Sequence, residues 1–158
     1  MVDGSSSDKA EKIVRRYQVK LIRELGLGYG YARNLGLANS MGEIVLFTDS
    51  DCYAEKDWIE TLISHFEDPS VGGVTGELRL WNTRHGVARF LACVGGRMEP
   101  PKKSAVEVCP TMNLAIRRKI VDEVGGFDET LVRCEDTDLT YKVSRQHKIL
   151  YEPETVVW

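Results

Sequence analysis

The run Ile44-Val45-Leu46-Phe47-Thr48 is rich in β-branched and aromatic residues and reads as a short buried strand. It is apolar on both faces, the pattern of a parallel-sheet strand covered by helices on either side. Two carboxylates, Asp49 and Asp51, follow it without a spacer. In an open α/β sheet the ligand crevice lies beyond the carboxyl ends of the strands, so both acids stand at its mouth. Two hard anionic oxygen donors there suit a divalent cation such as Mg²⁺ or Mn²⁺, which would in turn hold phosphate oxygens. The plainer alternative is a polar turn that caps the next helix, since Asp and Ser favour such places.

Around that strand the periodicity alternates. Val2-Asp3-Gly4-Ser5-Ser6-Ser7-Asp8 reads as a strand end and turn, with Ser7 or Asp8 capping a helix from Lys9 to Tyr17. Ile13, Val14 and Tyr17 give that helix one apolar face. Val19 to Leu25 reads as a strand, and Gly26-Leu27-Gly28-Tyr29-Gly30 leads into a helix from about Tyr31 to Asn39. Asp57 caps a helix through Phe66, and Val71 to Leu80 is strand-like, broken by Gly76. Arg84 to Val94 is a helix, and Gly95 to Val106 a basic, Gly- and Pro-containing mobile loop. Asn113 to Ile116 is a strand, Arg118 to Val124 a helix stopped by Gly125-Gly126, Glu135 to Arg145 the last helix and Ile149 to Trp158 the last strand. Strands alternating with helices mean an α/β domain with a mostly parallel sheet flanked by helices.

At 158 residues one domain with a single core is expected. A net charge of −3 gives no basic face for nucleic acid, so none is expected as a partner. Cys52, Cys93, Cys109 and Cys134 form no C-x-x-C pair, which argues against zinc and for reduced thiols in a cytoplasmic setting. No apolar run approaches a membrane span. The glycines before the second helix invite a dinucleotide-fold reading, with Asp49 as the ribose acid. The six-residue fingerprint fails in both registers, however, ending on Tyr31 or on Arg33 where a small residue must pack.

Four motifs in order carry a more specific signal. They are the Val2–Asp8 turn, Gly30-Tyr31-Ala32-Arg33-Asn34-Leu35-Gly36, Asp49-Ser50-Asp51, and Gly125-Gly126-Phe127-Asp128-Glu129 followed by Glu135-Asp136-Thr137-Asp138-Leu139. Together they resemble the family 2 glycosyltransferases, inverting enzymes of the GT-A fold. The resemblance implies that Asp3 contacts the nucleotide base and Arg33 lies near the diphosphate. It implies that Asp51 binds the metal directly while Asp49 touches the ribose or the metal's water shell. Asp136 would be the catalytic base, oriented by Glu135. Taken residue by residue, Asp3 also suits a plain turn, Arg33 a solvated helix face, and Glu135, Asp136 and Asp138 a helix N-terminus that favours negative charge.

Two departures from the family pattern shape the expectations. The family domain opens with a further strand and helix before the Asp3 turn, so residues 1–158 read as an N-terminally truncated GT-A domain with an open strand position beside Asp3. The family fold often places a His after the last strand as a further metal ligand; here the stretch ends at Trp158, and His65, His85 and His147 lie elsewhere.

The function these residues imply is transfer of a sugar from a nucleotide-diphosphate sugar to an acceptor hydroxyl, assisted by Mg²⁺ or Mn²⁺. A cation neutralises the leaving diphosphate, and one carboxylate takes the acceptor's proton. The mobile loop, with Arg97, Lys102 and Lys103, would fold over the diphosphate and exclude water. The acceptor is a saccharide, lipid or protein, and peripheral association with the inner membrane face would come through regions outside this stretch. Three alternatives stay open: a nucleotidyltransferase of related fold, a glycosidase with paired carboxylates, and an inactive nucleotide-binding or scaffold fragment.

Overall fold

The computed structural model describes residues 1–4, 9–81, 86, 90 and 104–158. Its elements run β1 (Val2–Asp3), α1 (Ala10–Val14), β2 (Ile22–Arg23), α2 (Tyr29–Ala38), β3 (Ile44–Phe47), α3 (Trp58–Ser64) and β4 (Val71–Leu78). There follow β5 (Ala105–Val106), β6 (Leu114–Arg117), α4 (Arg118–Glu123), α5 (Glu135–Ser144) and β7 (Lys148–Val157). Short 3₁₀ turns occupy His65–Glu67 and Thr111–Asn113. The Ser7 or Asp8 cap, the basic residues Arg97, Lys102 and Lys103, and most of the expected helix Arg84–Val94 lie outside the described residues. Gly86 and Phe90, which are described, are helical.

The α/β architecture is the expected one, with a mixed ladder. Five strands form one sheet in the order β3-β6-β4-β7-β5. β3, β4 and β7 point the same way, as a mostly parallel sheet requires, and β4 pairs with β7 in parallel. β6 is inserted antiparallel between β3 and β4, and β5 runs antiparallel along β7. β1 and β2 form a separate parallel pair, so among the described residues β1 has a strand neighbour on one side only.

The two-sided apolarity of β3 has its explanation in the packing. Val45 and Phe47 face α2, α4 and α5, whose Leu37, Ile120, Val121, Leu139 and Val143 share one core cluster with Leu114 and Ile116 of β6. Ile44 and Leu46 face the opposite cluster, built on Trp58 and Leu62 of α3 with Val71, Val74 and Ala115. Alternation along β6 sends Leu114 and Ile116 to one layer and Ala115 to the other, all fully buried.

At the carboxyl ends of the strands a polar knot fixes their spacing. Buried Asn113 accepts from the Trp58 indole at 2.8 Å and donates to the carbonyls of Thr155, at 3.0 Å, and Glu77. Thr75 donates its hydroxyl to the Asn113 carbonyl. The strand does not stop at Gly76; it continues to Leu78, with a register shift between Gly76 and Glu77. A Cβ at Gly76 would stand 1.7 Å from the Thr155 hydroxyl oxygen, so the approach of β7 requires glycine there.

α1 is shorter than its periodicity suggests and buries no residue, leaving Ile13 and Tyr17 exposed. Among the described residues no helix is long and apolar enough to cross a membrane.

Candidate active site

The loop after β3 carries Asp49 and Asp51, and the first turn of α5 carries Glu135 and Asp136. Two meshed motifs bring these segments together. Asn34, one turn beyond Gly30 on the same face of α2, accepts from the Phe127 N–H and donates to the Phe127 carbonyl, both at 2.9 Å, and to Glu129 at 2.8 Å. Gly126, at φ 75°, lies so close that a Cβ would meet the Asn34 amide oxygen at 2.9 Å. Gly30 likewise leaves no room, with the Asp128 carbonyl oxygen 2.8 Å from where its Cβ would be. The two glycine motifs are thus the two halves of one helix–loop joint.

Arg33 projects from this joint. Its guanidinium donates to the buried Glu135 carboxylate and stands 3.8 Å from Asp49. It lies over the rings of Tyr29 and Phe127, each centroid 5.8 Å away. Phe127 meets Phe47 of β3 edge-on, so the layer beneath Arg33 is apolar. A cation held between two carboxylates and two rings is fixed in place.

Burial raises the Asp49 carboxyl above the ordinary range; Arg33 opposes this, and Asp51, then Asp136 and Glu135, add to it. Asp51, Asp136 and Glu135 are therefore near enough to act on the charge of Asp49. Asp136, half-buried, accepts from the Thr137 N–H at 2.7 Å within the first turn of α5. Cys134 precedes that turn in a left-handed conformation, φ 65°, which swings the chain into the helix. Burial also raises the Cys52 thiol, next to Asp51, and pushes the Cys109 thiol up to about 12.

Arg33 joins Asp49 to Glu135, and Asp51 and Asp136 act on Asp49; Asp3 sits buried on the β1–β2 pair. Glu135 turns to Arg33, a partner 102 residues away that its sequence neighbourhood does not show. Asn34 carries no role in the sequence reading, although its spacing of four from Gly30 puts both on one helix face. Among the described residues no three His, Cys, Asp or Glu side chains form a group that would hold a metal ion. The donor set still fits a hard cation that takes phosphate and water for its other ligands, because Asp49 and Asp51 offer adjoining carboxylates whose mutual repulsion a cation relieves. His65, bonded to Glu152 at 2.8 Å, and His147, 3.9 Å from Glu123, have other partners.

The family model "Glycosyl transferase family 2" matches residues 1–125. The pre-mycofactocin glycosyltransferase of Mycobacterium tuberculosis is 35% identical over 138 residues, covering 82% of this chain and 29% of that protein. Glycosyltransferase AglE of Haloferax volcanii is 28% identical, covering 95% of this chain and 54% of its own length. The chain therefore spans between about a third and about half of these relatives. A mannosyltransferase from Pyrobaculum calidifontis, solved with GDP-Man and Mn²⁺, superposes with a TM-score of 0.76 at 24% identity, over 99% of this chain and 45% of that one. S. aureus TarS residues 1–349, solved with UDP-GlcNAc, gives 0.77 at 21% identity, over 99% and 47%. These two likenesses establish the GT-A fold.

Proposed function

The chain belongs to glycosyl transferase family 2, and from that premise we propose that it is an inverting sugar transferase using a nucleotide-diphosphate sugar and Mg²⁺ or Mn²⁺. The observation that carries this reading is Arg33 joining Asp49, after β3, to Glu135, at the start of α5, with Asp51 and Asp136 near enough to raise the Asp49 carboxyl. The donors bound to the two solved relatives, GDP-Man and UDP-GlcNAc, support the donor class.

In this reading Asp3 contacts the nucleotide base and Arg33, clamped by Glu135, presents its remaining N–H groups to the diphosphate. A divalent ion held by Asp51, with Asp49 beside it, would supply neutralisation of charge on the departing diphosphate. The acceptor oxygen attacks the anomeric carbon from the face opposite the diphosphate. Its O–H proton passes to Asp136, the new glycosidic C–O bond forms, and the bond to the diphosphate oxygen breaks. A single displacement inverts the anomeric centre. Glu135 acts at one remove, by holding Arg33. The acceptor is a saccharide, lipid or protein. Free Cys52, Cys109 and Cys134 support a cytoplasmic setting, with membrane contact, where present, peripheral.

The test is thermal shift against uridine, guanosine and thymidine diphosphates, each with and without Mn²⁺. One nucleotide should stabilise the protein only when Mn²⁺ is present, by mass action on the folded state. Absence of any response, or a response indifferent to metal, would overturn the reading.

A further inference from the structure

The loop that carries Asp49 and Asp51 runs on into a second feature. Tyr53, two residues past Asp51, pairs with Trp158 at the end of β7: each N–H donates to the other's carbonyl, at 2.9 and 2.8 Å. Ala54 bridges Val157 beside them. On the other side, the Arg79 N–H donates to the Val157 carbonyl at 2.8 Å, which brings the end of β4 alongside. Three aromatic rings meet on this framework. Trp81 lies 5.6 Å from Tyr53 and 6.0 Å, edge-on, from Trp158. Arg79 stands over the Trp158 ring at 5.4 Å and bonds Glu77 at 2.7 Å, while the Trp158 indole donates to Glu55 at 2.9 Å.

Trp81 is 71% exposed and Tyr53 60% exposed. Tyr53 and Trp158, held by backbone pairing, and Trp81 against both keep apolar area in water that a bound group would cover. Aromatic rings with two side-chain torsions are also a contact surface of low entropic cost. The rim decides which group. Among the described residues its carboxylates, Glu55 and Glu77, with Asp51 just upstream, outnumber the guanidinium of Arg79, itself paired to Glu77, so a phosphate or other anion meets repulsion. A neutral hexose suits the arrangement: its C–H face lies on a ring and its hydroxyls reach carboxylates and guanidinium at the edge.

We infer that Tyr53, Trp81 and Trp158 form a binding ledge for a neutral saccharide, the acceptor of the transfer. The assignment rests on the proposed transferase reading for the word acceptor; the ledge itself stands on its rings and rim. Of the acceptor classes above, it selects the saccharide. A glycan seated on the ledge adjoins the loop that carries Asp51, where the donor would be held.

Intrinsic fluorescence tests this directly. The chain's other tryptophan, Trp58, is buried, so a saccharide-dependent change reports Trp81 and Trp158. Titration with mannotriose, cellotriose and maltotriose should give a saturable change with at least one, and trigalacturonate should bind more weakly. Trp81→Ala, at an exposed position where the fold is undisturbed, should weaken that binding by about tenfold, the share of one lost ring contact. Trp81→Ala should keep the Mn²⁺-dependent nucleotide response of the parent, so the two readings fail separately. No change with any neutral trisaccharide, or equal binding by Trp81→Ala, overturns the ledge. So does self-association of the parent that Trp81→Ala abolishes, which would make the rings a protein contact.

Discussion

The β1–α1–β2 segment and the β6–α4–α5 segment are built on opposite terms. In the second, Leu114, Ala115, Ile116, Val121, Leu139 and Val143 are all fully buried. In the first, α1 buries nothing, Ile13, Tyr17, Val19 and Leu25 are exposed, and Glu11 holds the surface together by pairing with Arg15 and Arg23. Each segment carries one side of the proposed site: Asp3 on the loose one, Glu135 and Asp136 on the packed one. The lesson is about division of labour. In the proposed reading the proton acceptor lies on the packed segment, and the residue for the donor base lies on the more exposed one.

The sharpest way to break this division is Asp136→Asn. It keeps shape and hydrogen bonding but cannot take a proton, so sugar transfer should fall by about 10²–10⁴-fold with donor affinity unchanged. Transfer rate and nucleotide binding measured on the same variant decide it. Retained transfer removes Asp136 as the base, and joint loss recasts it as part of the donor site.

Next in size is the contrast between two arginines. Arg33 is 17% exposed against a Glu135 that is 6% exposed, whereas Arg15 is 75% exposed beside Glu11. Arg33→Met strands a buried carboxylate and should cost about 3–5 kcal/mol in urea unfolding. Arg15→Met should be indistinguishable from the parent, and comparable losses from both would erase the comparison.

Core truncation should repeat the pattern. Leu139→Ala, at a fully buried position, should destabilise by about 2–5 kcal/mol. Ile13→Ala, at a position 52% exposed, should stay within about 0.5 kcal/mol. An Ile13→Ala effect as large as that of Leu139→Ala would mean that α1 is covered in solution.

The smallest effect concerns pH. The Arg15 hydrogen bond, and then the charge of Arg23, hold the Glu11 carboxyl below its ordinary value. A carboxylate lowered on folding contributes stability that is present above its unfolded value and lost as pH falls through the lowered one. Acidification through the carboxylate range should therefore loosen α1 while α5 holds. Backbone amide shifts of Ala10–Val14 followed against those of Glu135–Ser144 would show it, and parallel behaviour would refute it.

Much of this was legible in the sequence. α2, α3, β4, β6, α4, α5 and β7 fall within a few residues of their expected bounds, because each carries an apolar pattern of its own period. The site segments were legible as motifs, with their glycines in the joint between α2 and the loop before α5. Strand order was not: nothing in Leu114–Arg117 says that it will lie antiparallel between β3 and β4, since periodicity identifies a strand and not its neighbours. β5 was hidden in an expected loop because two residues have no period; their pairing with Leu150 and Ile149 defines them. The apolar stripe of α1 was legible, yet a stripe says what could be buried and not what covers it. The turn of Glu135 to Arg33 is likewise a contact between distant segments, which spacing along the chain cannot show.

Gly76 has a consequence for how this sequence can vary. With the Thr155 hydroxyl oxygen 1.7 Å and its carbonyl oxygen 2.2 Å from any added Cβ, even alanine displaces backbone as well as side chain. In a saturation library codon 76 should therefore admit a single letter. Enrichment of any other residue should come with a compensating change at Thr155 or in the adjoining Pro153-Glu154 bulge. That linkage would make the pair a marker for aligning distant sequences at the point where β4 and β7 carry the crevice.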